Sequence, residues 1–191
     1  MINEHKQPNS FIVVNEFNDE SVEAFKSDFD RLRNQNMPVI PIYIDSFGGE
    51  VYSLFAMIDI IDSSHAEVAT ISIGKSMSAA SVLLASGTPG LRFIGKHSTV
   101  MIHDAATFSG GKVEDMKVDV NELERLNGLM YEILAKKCGH RNKDYFRKII
   151  QKKKHTNWYL TAEDTLNHGL VDHIGLPVID SEFRIFLPNK K

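Results

Sequence analysis

Hydrophobic residues along the chain follow two alternating patterns: short continuous runs, and longer segments with a hydrophobic residue every three or four positions. The short runs have the length and β-branched content of buried strands, and they cover residues 11–14, 39–44, 68–73, 91–94 and 99–102. The longer segments have the period of amphipathic helices, and the first begins after Asn18, a favourable helix cap. Because strand and helix alternate three times, the pattern predicts an α/β domain with a mostly parallel sheet and flanking helices. Functional loops are then expected at the carboxyl ends of the strands.

The second half of the chain is predicted to be mainly helical. Residues 113–138 keep a helical spacing of hydrophobic residues, which predicts a long helix that projects and packs on another subunit. Residues 141–155 form a basic amphipathic segment. Thr161 is a good cap for a short helix that ends at Gly169, and residues 170–174 are predicted to form a last strand.

Composition and charge narrow the class of protein. The chain has 191 residues, 42% hydrophobic and 25% charged, which suits a single domain over residues 10–191 after a short flexible segment at residues 1–9. The net charge of −3 gives no overall field that favours nucleic acid or an anionic membrane, so neither is expected as a partner. The single cysteine and the lack of a secretion signal or membrane-length apolar stretch favour a cytoplasmic protein. The histidines show no ligand spacing with nearby cysteines or carboxylates, so no metal is expected. No cofactor is expected either.

Ser78 is the strongest candidate for chemistry. We predict that a strand over residues 70–73 turns at Gly74 into a small-residue helix over residues 76–85, with free backbone amides beside the serine. Such amides and the helix dipole would stabilise an oxyanion in acyl transfer. A serine hydroxyl also needs a base, and His103, at the end of the run 99–102, is the candidate. The alternative interpretation is that Ser78 is a small packing residue and His103 follows a strand by chance.

Neighbouring glycine and serine residues form three further patterns. Gly48 and Gly49 follow a buried strand, where paired glycines allow backbone amides to approach a substrate, although a simple turn is also common. The Gly74-Lys75-Ser76 sequence lacks the spacing of a phosphate-binding loop. Ser76 is a competing nucleophile, but no closing glycine forms the elbow of α/β-hydrolases.

Several segments together resemble the ClpP family, the proteolytic subunit of ATP-dependent Clp proteases. The resemblance is carried by Ile42–Val51, Thr70–Leu84, Val100–His103, Tyr159–Ala162 and His168–Asp172. It implies a crotonase-like ClpP fold and a single ClpP-like peptidase domain, a serine endopeptidase that hydrolyses unfolded proteins through an acyl-serine intermediate. It also implies a homo-oligomer of two stacked heptamers and a Clp-type AAA+ ATPase as partner. The site residues it implies are Ser78, His103 and Asn157 for catalysis, Gly49 and Ala79 for the oxyanion hole, and Gly48, Val51 and Ala106 for substrate binding.

Asn157 departs from the family pattern, because the family has an aspartate at this position. An asparagine can orient an imidazole but cannot stabilise an imidazolium as a carboxylate does, so a weakened peptidase is expected unless Asp104, Glu163 or Asp164 substitutes. The alternative is a catalytically silent ring subunit that modulates another ClpP-type protease. A third interpretation, a crotonase-fold enzyme that holds a thioester enolate, lacks any sequence feature for coenzyme A.

Overall fold

A computed structural model of the chain describes residues 10–106, 110–179 and 185–188, and it contains one main sheet flanked by helices. The strands are β1 (Ile12–Val14), β2 (Val39–Ser46), β3 (Glu67–Met77), β4 (Arg92–Ile94), β5 (Thr99–Ile102), β6 (Trp158–Leu160), β7 (His173–Ile174), β8 (Val178–Ile179) and β9 (Ile185–Phe186). The helices are α1 (Asp19–Asn34), α2 (Val51–Asp62), α3 (Ala79–Ala85), α4 (Val113–Lys137), α5 (Tyr145–Lys152) and α6 (Ala162–Asn167). The predicted α/β class is therefore confirmed. The segment 1–9, predicted to be flexible, lies outside the described residues.

The main sheet is mostly parallel, as predicted. Strands β1, β2, β3, β4 and β7 lie side by side in this order and run parallel. Strand β3 also pairs in parallel with β5, which pairs in turn with antiparallel β6. The carboxyl ends of β2, β3 and β5 therefore meet at one end of the sheet, where functional loops are expected.

The predicted turn at Gly74 and the predicted helix start at Ser76 are wrong. Strand β3 continues to Met77, and α3 begins only at Ala79. The reason is tertiary pairing: residues 70–72 of β3 pair with β4, whereas residues 75–77 pair with β5. Gly74, with φ of +72°, lies between the two halves and redirects the strand from one partner to the other.

The first two helices match their sequence patterns. Asn18 accepts a hydrogen bond from the backbone of Ser21 and completes a capping box at the start of α1, whose residues Phe25, Phe29 and Leu32 are buried. In α2 the hydrophobic positions pack on the same core, with Leu54, Ile58 and Ile61 buried.

Helix α4 is buried over only part of its length. Its buried side chains all come from Leu126 onward, whereas Val113, Val118 and Val120 near its start are exposed. The first half thus projects from the packed part of the domain, as the sequence indicated. Its contact with another subunit stays a prediction. Among the described residues no helix has the length and apolar character needed to cross a membrane.

The predicted last strand over residues 170–174 is wrong in extent, because only His173 and Ile174 pair in the sheet. The amide of Leu170 donates to Thr165 O at 3.1 Å and so completes the cap of α6. Leu170 and Val171 are buried, but the helix cap keeps this stretch out of the ladder.

Arg92 connects strand β4 with the ends of helices α4 and α6. Its Nε and Nη2 donate to the carboxylate of Asp172 at 2.9 and 2.6 Å, and its Nη1 donates to the carbonyl oxygens of Lys137 and Gly169, both at 3.0 Å. Burial alone would raise the pKa of Asp172, but the hydrogen bonds and charge of Arg92 and the amide of Gly90 outweigh it and lower that pKa. This buried pair joins the ends of α4 and α6 to β4.

Candidate active site

Ser78 occupies the junction between β3 and α3 in a rare backbone conformation. Its φ of 54° and ψ of −123° are sparsely populated for a residue with a side chain, and such strain clusters at functional sites. Its amide donates to Met101 O at 2.8 Å, and its carbonyl oxygen accepts from the amide and hydroxyl of Ser81 at 2.9 and 2.7 Å. The surrounding hydrogen bonds therefore fix the strained residue from both sides.

His103 faces this serine. Its Nε2 lies 2.9 Å from the Oγ of Ser78, which is hydrogen-bond distance for a nucleophile and a base. The pairing of Met77 with Met101 brings the two strand ends together and leaves the serine and the histidine as neighbours. The sequence prediction that these two residues meet in space agrees with this geometry.

The Gly48–Gly49 turn packs directly against the serine. Gly48 has φ of +99°, and a Cβ atom built on it would lie 2.7 Å from Met77 O and 2.8 Å from Ser78 Cβ. Gly49 forms a bridge with Phe17, and a Cβ at Gly49 would lie 2.5 Å from Phe17 O. A side chain at Gly48 would therefore displace the turn from the nucleophile, and a side chain at Gly49 would displace it from Phe17.

Two backbone amides beside the serine are unused. The amide of Gly48 donates to Ser46 Oγ at 3.0 Å, but those of Gly49 and Ala79 have no acceptor among the residues that the structure describes. Ala79 is the first residue of α3, where helix amides lack an intrahelical partner. Both amides are thus free to donate to a ligand.

A cavity of about 440 Å³ opens over the serine and the histidine. Gly49, Ser78 and His103 lie in its wall, and so do two of the predicted substrate-binding residues, Val51 and Ala106. The other predicted one, Gly48, lies behind Ser78, as its close approach to that residue shows. The remaining wall is largely apolar and includes Phe47, Met101, Leu123 and Leu126.

Asn157 lies opposite His103 in the backbone but makes no hydrogen bond to it. Strands β5 and β6 pair Ile102 with Trp158, so the next pair in the same register is His103 with Asn157. The side chain of Asn157 is exposed and has no hydrogen-bond partner among the described residues. Within the described residues the His103 ring makes one hydrogen bond, the contact of its Nε2 with Ser78.

None of the three carboxylates considered as substitutes reaches His103. Asp104 accepts from the hydroxyl of Tyr131 at 2.7 Å and pairs with Nδ1 of His155, while Asp164 caps α6 through Thr161. Glu163 is exposed and has no hydrogen-bond or ion-pair partner among the described residues.

The contacts of Asp104 were missed at the level of sequence. Burial, together with the hydrogen bond and charge of Asp104, raises the pKa of Tyr131, so the tyrosine hydroxyl stays protonated and donates. Asn127, one helical turn before Tyr131, accepts from the amide of Ala105 at 2.7 Å. The spacing of four residues indicates that Asn127 and Tyr131 share a helix face, but nothing in the sequence indicates that this face meets residues 104 and 105.

Comparison with known proteins gives the family of the chain. The family model described as Clp protease matches residues 7–177. The chain belongs to the Clp protease family. The ATP-dependent Clp protease proteolytic subunit 3 of Nocardia farcinica is 39% identical over 137 residues, which are 71% of this chain and 60% of that protein. The ATP-dependent Clp protease proteolytic subunit 1 of Corynebacterium diphtheriae is 38% identical over 136 residues, 71% of this chain and 63% of that protein.

The chain thus spans about three fifths of the length of these curated relatives. Membership of the Clp protease family confirms the resemblance inferred from the sequence motifs, and the mixed α/β fold is consistent with it.

Proposed function

We propose that this chain is a serine endopeptidase subunit of a Clp-type protease. The observation that carries the proposal is the 2.9 Å contact between His103 Nε2 and Ser78 Oγ, beside the free amides of Gly49 and Ala79. A nucleophile, a base and two oxyanion donors are the groups that acyl transfer requires.

The reaction proceeds in two halves. The Oγ of Ser78 attacks the carbonyl carbon of a peptide bond while His103 Nε2 takes the hydroxyl proton, and the negative oxygen accepts from the amides of Gly49 and Ala79. His103 then gives its proton to the leaving amine, which frees the amino-side product and leaves an ester on Ser78. A water molecule hydrolyses this ester with His103 again as the base, and Ser78 recovers its proton.

The substrate is an unfolded polypeptide bound in extended form. Residues 49–51 line the cavity and can add main-chain hydrogen bonds to a peptide, as a further β-strand would. The apolar wall formed by Met101, Leu123 and Leu126 suits a hydrophobic side chain of that peptide. Val51 and Ala106 are the proposed contacts with the bound peptide.

The proposed assembly and partner also rest on membership of the Clp protease family. We infer a cytoplasmic homo-oligomer of two stacked heptameric rings, with unfolding and delivery by a Clp-type AAA+ ATPase. Val113 and Val120, exposed and seven residues apart in the projecting half of α4, support such an assembly, because they share a helix face that contact with a second subunit would cover.

A catalytically silent ring subunit is the second candidate function. It is favoured by one observation: the position opposite His103 holds Asn157, whose side chain makes no hydrogen bond among the described residues. An imidazole without a carboxylate partner is less stabilised when it becomes protonated.

Labelling of the purified protein with a fluorophosphonate distinguishes the two functions. An active peptidase is labelled and cleaves a fluorogenic peptide, and Ser78→Ala abolishes both. A folded, ring-sized particle that is neither labelled nor active would instead identify a silent subunit.

The Asn157→Asp variant tests the role of residue 157. We expect a rise in kcat of at least about tenfold, since the reverse exchange in chymotrypsin-type enzymes lowers turnover about 10⁴-fold. Asn157→Gln, which stays neutral, is the control. A kcat unchanged by the aspartate would refute the weakened triad.

A further inference from the structure

A group of three side chains lies beside the proposed site but outside its chemistry. The carboxylate of Asp104, the residue after His103, accepts from the buried hydroxyl of Tyr131 at 2.7 Å and is within hydrogen-bond distance of Nδ1 of His155. The side chain of Asp104 is 29% exposed, whereas that of His155 is 60% exposed and lies on the outer side of the pair. A buried helix residue and a surface loop residue thus hold the same carboxylate.

The loop that carries His155 has an unfavourable backbone. Lys154 and His155 have φ of +55° and +58°, so two successive residues with side chains adopt the left-handed region. Residues of this kind persist where surrounding contacts over-determine them. The amides of Lys154 and His155 donate to Gln151 O and Ile150 O, both at 3.0 Å, and so cap the end of α5. The contact with Asp104 adds a side-chain constraint on His155, two residues before Asn157.

The other side of the carboxylate is anchored to α4. Tyr131 fixes Asp104, and Asn127 fixes the amide of Ala105 from the same helix face. The strand end that carries His103 is therefore held against α4, and His155 is the link from this strand end to the loop that leads to Asn157.

We propose that Asp104 and His155 are positioning residues, which hold Asn157 opposite His103 during the peptidase reaction. The inference rests on the proposed function. A neutral asparagine is not drawn to the imidazole by charge, so its placement depends on the backbone that carries it. The β5–β6 ladder ends at the pair Ile102–Trp158, and the Asp104–His155 contact joins the two segments just beyond that end, on either side of His103 and Asn157.

The test compares His155→Asn with His155→Asp. The two replacements have the same shape and both tolerate a left-handed backbone, but asparagine donates to Asp104 whereas aspartate repels it. We expect His155→Asn to keep kcat within about twofold of the wild type and His155→Asp to lower kcat about tenfold with little change in KM, the effect of a misplaced catalytic group. Lys154→Asp adds a negative charge at the neighbouring left-handed residue and is the control for charge alone.

Coupling to Asn157 separates positioning from general stability. In an Asn157→Ala background, His155→Asp should lower kcat by less than about twofold, because no side chain is left to position. Urea unfolding of each variant verifies that folded protein is compared.

Each outcome is decisive. Equal kcat for His155→Asn and His155→Asp, or a full tenfold loss in the Asn157→Ala background, would overturn the positioning role while the peptidase function stands. A wild-type protein that neither labels nor cleaves peptide would overturn both proposals.

Discussion

The Gly48→Ala substitution should greatly slow the reaction of Ser78, whereas it should lower the free energy of unfolding only modestly. A Cβ at this position would lie 2.7 Å from Met77 O, 2.8 Å from Ser78 Cβ and 3.2 Å from Ala79 N. The first two distances are shorter than any ordinary carbon contact, so the turn and the nucleophile must move apart. The Gly48→Ala substitution therefore changes the geometry between the serine and the free amides.

The size of the effect has two parts. A residue with a side chain in a left-handed conformation costs roughly 1–2 kcal/mol in the free energy of unfolding. Displacement of reacting groups by about 1 Å lowers the rate about 10²-fold. We thus expect Gly48→Ala to lose roughly 1–3 kcal/mol of stability and about 10²-fold in the fluorophosphonate labelling rate.

Gly90→Ala is the matched control, because Gly90 has φ of +91° but no atom within 4 Å of a built Cβ. Gly90→Ala should lose a similar backbone contribution to the free energy of unfolding, measured in urea. It should still be labelled by the fluorophosphonate at the wild-type rate. The reasoning is refuted if folded Gly48→Ala is labelled as fast as Gly90→Ala.

Two further predictions concern stability. Asp172→Ala leaves the guanidinium of Arg92 buried without its carboxylate and should lower the free energy of unfolding, measured in urea, by about 3 kcal/mol. A loss below about 1 kcal/mol would contradict the role of this pair. Burial lowers the pKa of His168 from its ordinary value of 6.5, so the unfolded state binds more protons and stability should fall as the pH drops from 6.5 towards the lower folded value. Melting temperatures measured across this interval should show less dependence on pH in His168→Gln, and an identical dependence would count against the assignment.

Much of the fold follows from local patterns in the sequence. The cap at Asn18 and the three-to-four spacing of hydrophobic residues predict α1 because each signal is local. The meeting of Ser78 and His103 was also predictable, since both follow strands that the sequence marks clearly.

The rest depends on contacts between distant segments. The stretch Lys75-Ser76-Met77 looks like the start of a helix, and its pairing with β5, and through Ser76 with β2, makes it a strand. The contact of Asp104 with His155 joins residues 51 positions apart, and neither residue has a local pattern that indicates the other.

The bridge between Phe17 and Gly49 has a consequence for how the chain can vary. The amide of Glu50 donates to Phe17 O at 2.9 Å. This hydrogen bond couples the position of the glycine turn to that of the connection between β1 and α1. Insertions or deletions in that connection would shift an oxyanion donor, although the connection itself supplies no reactive group. Its length is therefore constrained by the nucleophile Ser78, which lies 61 positions after Phe17.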